Sequence, residues 1–208
     1  MAGETHASTS AKGRARGTQQ TDSGFLIDEE PALVHAACKG DRNAFAVLVE
    51  RYWDRLYRWL IHLAHDRHMA EDLTQEAFLK AFAGLKLFRE GSNFRAWLFR
   101  IAHNCFVNIQ RRGCTRRGQP LVDSLPDKED GPVEQVLSRE AMKALAQAVT
   151  QLPDDFRAAF LLRAEEGMSF RQIAEVLELT EETARWRVFK ARQKLLTGMA
   201  GQLDGERT

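Results

Sequence analysis

The sequence is poor in the residues that mark secreted and membrane proteins. It has three cysteines in 208 residues and no C-x-x-C pair, which excludes a disulfide framework and fits a reducing compartment. No apolar run approaches the ~20 residues that a membrane-spanning helix needs, so we expect no membrane insertion. Because the formal net charge is only +1, any nucleic-acid site must come from local clusters of cations.

Signatures of common enzymes are also missing. There is no phosphate-binding glycine loop, metalloprotease helix or nucleophile elbow. His62, His65 and His68 recur every third residue, with Asp66 and Cys38 as further candidate ligands. A zinc site needs at least three converging ligands, and His68 falls at a predicted turn, so we interpret these as solvated helix-end histidines. No enzymatic activity, metal or cofactor is expected.

Helical periodicity dominates what is present. It predicts four N-terminal helices, over 30–38, 42–65, 69–87 and 93–112, and no segment shows the alternation of a strand. Glycine, proline and acidic residues then interrupt the pattern, and helices resume near Val133. The predicted fold is all-α, with two small helical domains on a flexible linker. The predicted segments are a disordered tail at 1–27, a first domain at 28–112, an acidic linker at 113–132, a second domain at 133–197 and a tail at 198–208.

The second domain ends in a predicted helix-turn-helix. Ser169 and Gln172 form a capping box at the start of one short helix, and Thr180 caps the next after a break at Glu178-Leu179. Between Thr183 and Leu195 the last helix has no acidic residue and five basic ones: Arg185, Arg187, Lys190, Arg192 and Lys194. Such a helix fits the major groove. A helical hairpin with a solvated basic face is the alternative.

Two faces of the first domain carry further signals. The third helix has a predicted core stripe of Leu73, Ala77, Phe78, Ala81, Phe82 and Leu85, and an opposite face of Asp72, Gln75, Glu76 and Leu79. Ser92 is predicted to cap the fourth helix, in which cations interleave with Phe94, Trp97, Phe99 and Phe106. Cations and aromatic rings together bind single-stranded DNA. For Phe94 and Trp97, burial in the core is the open alternative.

Three ordered motifs in residues ~30 to 197 resemble those of extracytoplasmic-function (ECF) sigma factors of the sigma-70 family. The run from Ala70 to Phe82 looks like their polymerase-binding region, and Phe94-x-x-Trp-Leu-Phe-Arg-Ile-Ala-x-Asn104 resembles their promoter-melting helix. The segments around Leu152-Pro153, Gly167-x-Ser169 and Glu182 to Arg192 resemble their second DNA-binding domain.

This resemblance implies an alternative sigma factor that binds core RNA polymerase, through the clamp helices of its largest subunit and its flap, and also duplex and melted promoter DNA. An anti-sigma factor is a further implied partner. The implied polymerase contacts are Asp72, Gln75, Glu76 and Leu79. The implied minus-ten contacts are Ser92, Asn93, Phe94, Arg95, Trp97, Arg100, Asn104, Arg111 and Arg112, with the loop from Glu90 forming a base pocket. The implied minus-thirty-five contacts are Ser169, Arg171, Thr183, Arg185, Trp186, Arg187, Phe189 and Lys190.

The sequence departs from the family pattern at two positions, and two other functions are alternatives to that of a sigma factor. Glu178 stands in the turn where family members often carry glycine, and Trp186 replaces a small residue, which leaves the minus-thirty-five sequence undetermined. A stand-alone helix-turn-helix regulator would bind a duplex palindrome tightly without polymerase. A metal-dependent nuclease would need acidic or histidine clusters beside the basic helix near residue 100, and the sequence lacks them there.

Overall fold

The computed structural model describes residues 29–89, 91–112 and 144–205, and all regular structure in these ranges is helical. Outside the described residues lie the predicted tail at 1–27, the predicted linker at 113–132 with Cys114, Glu90, and residues 206–208 of the tail predicted at 198–208. The rest of that second tail is helical up to Gly205, and side chains are described up to Gly198. The absence of strands from the described ranges confirms the all-α prediction. The helices are α1 (Glu30–Cys38), α2 (Arg42–Ala64), α3 (Arg67–Gly84), a 3-10 turn (Leu85–Leu87), α4 (Phe94–Arg112), α5 (described over 144–150), α6 (Asp154–Ala164), α7 (Phe170–Leu177) and α8 (Glu181–Gly205).

Aspartate caps start two of the N-terminal helices. Asp41 accepts hydrogen bonds from the backbone N–H groups of Asn43 and Ala44 at the start of α2. Asp66 accepts from the N–H of Met69 at 2.9 Å, so α3 begins at Arg67, two residues earlier than predicted. An acidic side chain at this position satisfies backbone donors that the helix leaves unpaired.

The N-terminal core lies between α2, α3 and α4. Trp59 is fully buried, and its ring centroid lies 5.4 Å from that of Phe99 across the α2–α4 contact. The predicted stripe of α3 is buried except for Phe82, whose side chain is 45% exposed and packs on Phe45 of α2 at 5.1 Å. Phe82 is therefore a surface residue, which corrects the prediction that it lies in the core.

The C-terminal helices begin at the predicted caps, but α6 ends at Ala164, before Gly167, and α8 continues to Gly205, beyond its predicted end at residue 197. Pro153 stands at the N-cap of α6, and Gly167 follows that helix with a φ of 62°. Ser169 and Gln172 form the predicted capping box of α7. Glu178 ends α7 in the left-handed conformation, with φ 56° and ψ 49°. The predicted buried stripe of α8 is confirmed: Ala184, Val188, Ala191 and Leu195 are all in the core.

The two sets of helices are packed against each other, which no sequence pattern predicted. Helix α4 lies against α7, and α2 lies against α6. Two charged side chains of the C-terminal helices are buried, Arg157 of α6 at 3% exposure and Glu166 of the α6–α7 turn at 6%. Buried charges need partners, and both find partners on the N-terminal helices.

Candidate nucleic-acid interface

Asn93 caps helix α4. Its Oδ1 accepts a hydrogen bond from the backbone N–H of Ala96 at 2.8 Å, and the helix begins at Phe94. Ser92, predicted as the cap, lies exposed in the preceding turn. Asn93 therefore sets the orientation of the first turn of α4, and both residues belong to the loop, Glu90 to Asn93, that is predicted to receive a minus-ten base.

The aromatic rings of α4 belong to the core. Phe94 is 2% exposed, and Phe99 and Phe106 are also buried. Trp97 is half-buried, with its ring centroid 4.9 Å from that of Phe88. A Cβ on Gly84 would lie 3.3 Å from the Trp97 ring, so the glycine allows the indole to approach helix α3 closely. The prediction that Phe94 contacts DNA is corrected: its ring fills the core, and among the four predicted aromatic rings only that of Trp97 keeps exposed surface.

The cations of α4 occupy the other side of the helix. Arg100 has a side chain that is 53% exposed, and Arg111 and Arg112 are exposed in the last turn. Cations at a helix C-terminus interact favourably with the helix dipole. The sequence of α4 predicts a helix with one apolar side and one cationic side, and the helix in the structure has both.

Part of this cationic side is held by the C-terminal helices. Arg95 Nη1 donates to the backbone oxygen of Glu166 at 2.8 Å. Arg100 Nε lies 3.1 Å from Glu178 Oε1, and Asn104 Nδ2 donates to the same oxygen at 3.3 Å. Three residues predicted to touch melted DNA therefore have protein oxygens as partners in this structure.

Glu166 is buried at the centre of the contact between the N-terminal and C-terminal helices. Its Oε2 accepts a hydrogen bond from Arg55 Nη2 at 2.6 Å, and the Glu166 side chain is only 4% exposed. A buried ion pair with one partner removed leaves an uncompensated charge, which is strongly destabilising. Arg55 of α2 and Arg95 of α4 thus converge on one residue of the α6–α7 turn.

His62 and His65, at the end of α2, face the C-terminal helices. This corrects the prediction that these two side chains are solvated. Arg157 Nη1 donates to the backbone oxygen of His62 at 3.2 Å and contacts His65 Nε2. His62 Nε2 lies 3.6 Å from Glu165 Oε1. Burial, followed by the charges of neighbouring arginines, lowers the pKa of both imidazoles. No metal-binding cluster occurs among the residues that the structure describes.

The helix-turn-helix exposes most of its predicted DNA-reading side chains. Trp186 and Phe189 of α8 are 50% and 54% exposed, although they are large and apolar. Arg187 is the exception, because it pairs with Asp155 of α6 at 2.9 Å and its side chain is only 18% exposed. Thr183 lies in the first turn of α8, where its N–H donates to Thr180 Oγ1 at 3.1 Å. Ser169, Arg171 and Lys190 lie at the surface of α7 and α8 or close to it.

The aromatic ring of Phe170 contacts two arginines. The guanidinium carbons of Arg163 and Arg185 are 5.1 and 5.2 Å from the centroid of its ring. Arg163 is tied down by a hydrogen bond to the backbone oxygen of Met168 at 2.8 Å. Arg185 also pairs with Glu181 at 3.2 Å. The aromatic face therefore restricts Arg185, which belongs to the predicted recognition helix.

The acidic face of α3 is exposed as predicted. Asp72 and Gln75 lie at the surface, and Leu79 is 71% exposed. Glu76 pairs with Lys80 one turn later at 2.6 Å. With the exposed Phe82 beside them, these residues form a surface of two acids and two apolar side chains, which suits a partner helix bearing cations and apolar groups.

Comparisons with known proteins decide the family. A family model described as Sigma-70 region 2 matches residues 48–114, and one described as Sigma-70, region 4 matches residues 142–195. The RNA polymerase sigma-H factor of Pseudomonas aeruginosa is 33% identical over 182 residues, which cover 81% of this chain and 92% of the relative. The chain is a sigma-70-family sigma factor of the ECF type.

Two further relatives agree with this assignment. The sigma factor is 32% identical to the ECF RNA polymerase sigma-E factor of Escherichia coli K12 over 80% of this chain and 92% of the relative. It is similar to the structure of the sigma factor RpoE in complex with the anti-sigma factor NepR from Bartonella quintana, with 26% identity and a TM-score of 0.63. That match covers 75% of this chain and 96% of the other. As a sigma factor the protein directs RNA polymerase to promoters, and it is not itself an enzyme.

None of the described helices of the sigma factor is both long and apolar enough to cross a bilayer.

Sequence reasoning missed the residues that join the two halves of the sigma factor. Glu166, Arg55 and Arg157 were not singled out because a charged residue on a helix ordinarily indicates a solvated face. In the sequence, Glu178 stands out only as an unusual turn residue. A charged residue at the end of an apolar stripe is a weak signal of such a contact, and the sequence offers no way to choose its partner.

The histidine contacts predict that the sigma factor loses stability in acid. Because burial lowers the pKa of His62, His65 and His103, the folded protein disfavours protons that the unfolded chain binds near pH 6.5. Stability is therefore full above about pH 6.5 and falls as the pH drops through that value toward the lowered pKa values. We expect a lower Tm at pH 5.5 than at pH 7.5, measured by circular dichroism. The loss of Tm should shrink in His65→Gln, and an equal loss in that variant would contradict a role for this imidazole.

The contacts of Arg163 and Arg185 with the ring of Phe170 predict that this ring positions Arg185. Phe170→Leu keeps an apolar side chain but removes the aromatic face, and an exposed cation–π contact contributes about 0.5–1 kcal/mol. We expect promoter binding by the polymerase complex to weaken about two- to fivefold, with full recovery in Phe170→Tyr. Binding to promoters altered only in the minus-thirty-five element measures the effect. If Phe170→Leu and Phe170→Tyr bind equally, the ring does not position Arg185.

Proposed function

We propose that the sigma factor works in the bacterial cytoplasm as the promoter-specificity subunit of RNA polymerase, with its two helical domains dividing the task. Residues 28–112 bind the polymerase and hold the melted minus-ten strand, and residues 133–197 read the minus-thirty-five duplex. The observation that carries the proposal is the order of the two matched regions along one chain. Two weak DNA contacts on one chain act together because the first raises the effective concentration of the second.

The polymerase contact is assigned to the acidic face of α3. Asp72, Gln75, Glu76 and Leu79 dock on the clamp helices of the largest polymerase subunit. The exposed carboxylates provide charge complementarity, which steers association, and the exposed Leu79 provides apolar area. The C-terminal domain makes the second polymerase contact, at the flap.

The minus-ten contact is assigned to the polar side of α4 and the turn before it. Arg95, Arg100, Arg111 and Arg112 hold phosphates, and Asn104 offers an amide to a base or phosphate. Ser92 and Asn93 line the pocket for a flipped base, with the exposed edge of Trp97 beside them. Phe94 supports this surface from the core and does not itself touch DNA.

The minus-thirty-five contact is assigned to α8 entering the major groove. Arg185 and Lys190 reach base edges or phosphates, and Trp186 and Phe189 provide apolar contact with thymine methyl groups. Thr183 stands at the start of the helix, where recognition residues act. Ser169 and Arg171 position the module on phosphates. Arg187 joins this set after releasing Asp155.

An anti-sigma factor is the further proposed partner. The Bartonella quintana relative is described in complex with an anti-sigma factor, NepR. Its 26% identity and shared fold support the same class of partner for this chain. The exposed apolar residues of α3 offer such a partner a surface that polymerase also needs.

Run-off transcription tests the proposal directly. Bacterial core polymerase is incubated with promoters from the source genome, with and without the sigma factor, and transcripts are counted. We expect initiation that depends on the added protein. Absence of initiation, together with nanomolar binding of the free protein to a duplex palindrome, would instead support a stand-alone regulator.

A further inference from the structure

Glu178 occupies a backbone conformation that suits a different residue. It ends α7 with φ 56° and ψ 49°, the left-handed region in which glycine has no steric penalty and an L side chain does. Its backbone N–H bonds to Ala174 O, as a helix end requires. Glycine would satisfy the same backbone geometry, so the turn itself gives no reason for a carboxylate here.

The carboxylate of Glu178 has its partners on the other domain. Its Oε1 lies 3.1 Å from Arg100 Nε and accepts from Asn104 Nδ2 at 3.3 Å. Arg100 and Asn104 are one turn apart on α4 and so present adjacent side chains on one face. A single oxygen anion bonded to a guanidinium and an amide has the chemistry of a phosphate oxygen on the same two groups.

The surrounding contact strengthens this arrangement. Arg95, five residues before Arg100 on α4, donates to the backbone oxygen of Glu166 in the α6–α7 turn at 2.8 Å. Glu166 is held in turn by Arg55 at 2.6 Å in a buried pair. The C-terminal domain therefore supplies oxygen partners to three polar side chains of α4. A DNA phosphate that binds Arg100 or Asn104 must compete with these partners, even though the Arg100 side chain is 53% exposed.

We propose that Glu178 acts as an internal phosphate mimic that competes with the melted promoter strand for Arg100 and Asn104 in the free sigma factor. The inference rests on the proposed function, because it takes these two residues to be DNA contacts. The apparent affinity of the free protein for the strand is then the affinity of the open form multiplied by the fraction of molecules that are open. Polymerase, by holding the two domains apart, removes that competition.

The first measurement gives the ratio of molecules with separated domains (open) to molecules with packed domains (closed). Dyes are attached through genetically encoded azide residues at exposed positions 54 and 182 of the full chain, and single-molecule energy transfer counts open and closed molecules. Glu178→Gly keeps the turn and removes the carboxylate, and Glu178→Gln removes only the charge. Because an exposed pair contributes at most about 1 kcal/mol, we expect the open-to-closed ratio to rise about two- to fivefold in Glu178→Gly. Glu175→Gln is the matched control, since Glu175 is an exposed acid of α7 that pairs with Arg171 of its own helix.

The second measurement follows DNA binding by the same free proteins. A pool of random single strands of about 12 nucleotides, several times the span of α4 cations, is the probe. We expect the affinity to rise by the same factor as the open fraction in the Glu178 variants and to stay at the wild-type value in Glu175→Gln. The left-handed strain is present in open and closed molecules alike, so its relief in Glu178→Gly does not change their ratio.

The outcomes separate this inference from the proposed function. An unchanged open-to-closed ratio in Glu178→Gly would overturn the inference, whatever the DNA result. A raised ratio with unchanged DNA affinity would also overturn it, because opening would then not uncover a DNA site. The proposed function is judged independently by transcription with polymerase, which neither result alters.

Discussion

Reversing two charges on α3, Asp72→Lys with Glu76→Lys, is expected to abolish transcription that depends on the sigma factor. Both carboxylates lie on the exposed face proposed to dock on polymerase, and like charges across an interface cost several kcal/mol, which corresponds to a loss of about a hundredfold or more in affinity. The second change also replaces the Glu76–Lys80 pair by a repulsion, which costs only a few tenths of a kcal/mol in helix stability.

The matched control is Asp54→Lys, an equal charge change at an exposed position of α2 in the same domain. We expect this variant to support transcription at the wild-type level. Circular dichroism confirms that both proteins are folded, and run-off transcription with core polymerase measures the effect. Wild-type activity of the α3 double variant would place the polymerase contact on another surface.

Arg185→Ala is expected to reduce discrimination between the cognate minus-thirty-five element and a scrambled one about ten- to a hundredfold. The side chain is 64% exposed at the N-terminal end of α8, the part of a recognition helix that meets base edges. A bidentate contact from arginine to guanine contributes about 1–3 kcal/mol of discrimination, whereas a phosphate contact weakens all sequences equally.

Lys194→Ala separates these two roles. Lys194 is an exposed cation of the same helix, nine residues along and therefore on the opposite side of α8 from Arg185. We expect it to leave discrimination unchanged. Competition binding by the polymerase complex, at one fixed salt concentration, gives the ratio for each variant. Equal weakening of cognate and scrambled promoters by Arg185→Ala would assign this residue to the phosphate backbone.

Local features were predictable because they depend on neighbours in the chain. The capping box of Ser169 and Gln172 and the stop at Gly167 satisfy backbone groups within one turn, and both are confirmed. The cap of α4 was misplaced by one residue, because Ser92 and Asn93 are both good caps and only the path of the preceding turn selects Asn93. The family itself was recognisable from motif order, as the comparisons show. The DNA and polymerase contacts of individual residues stay predictions.

Helical periodicity alone does not decide which aromatic side chains are buried. Phe94 and Trp97 share a helix with several arginines, and their spacing fits both a core and a base-stacking surface. The structure buries Phe94 and leaves Trp97 half-exposed, because the turn before α4 folds Phe88 and Gly84 against these rings. Phe82 was misjudged for the same reason, since its burial depends on how far α2 extends beside it.

The sequence by itself determined the order of the helices, most of their caps, most of each amphipathic stripe and the family of this sigma factor, since each depends on residues a few positions apart or on ordered motifs. Only the tertiary structure decided that His62 and His65 face Arg157, that Glu166 pairs with Arg55, and that Glu178 reaches Arg100 and Asn104. These partners are separated by 70 or more residues. Charged side chains are compatible with water or with one another, so their pairing is settled by the packing of whole helices and not by local pattern.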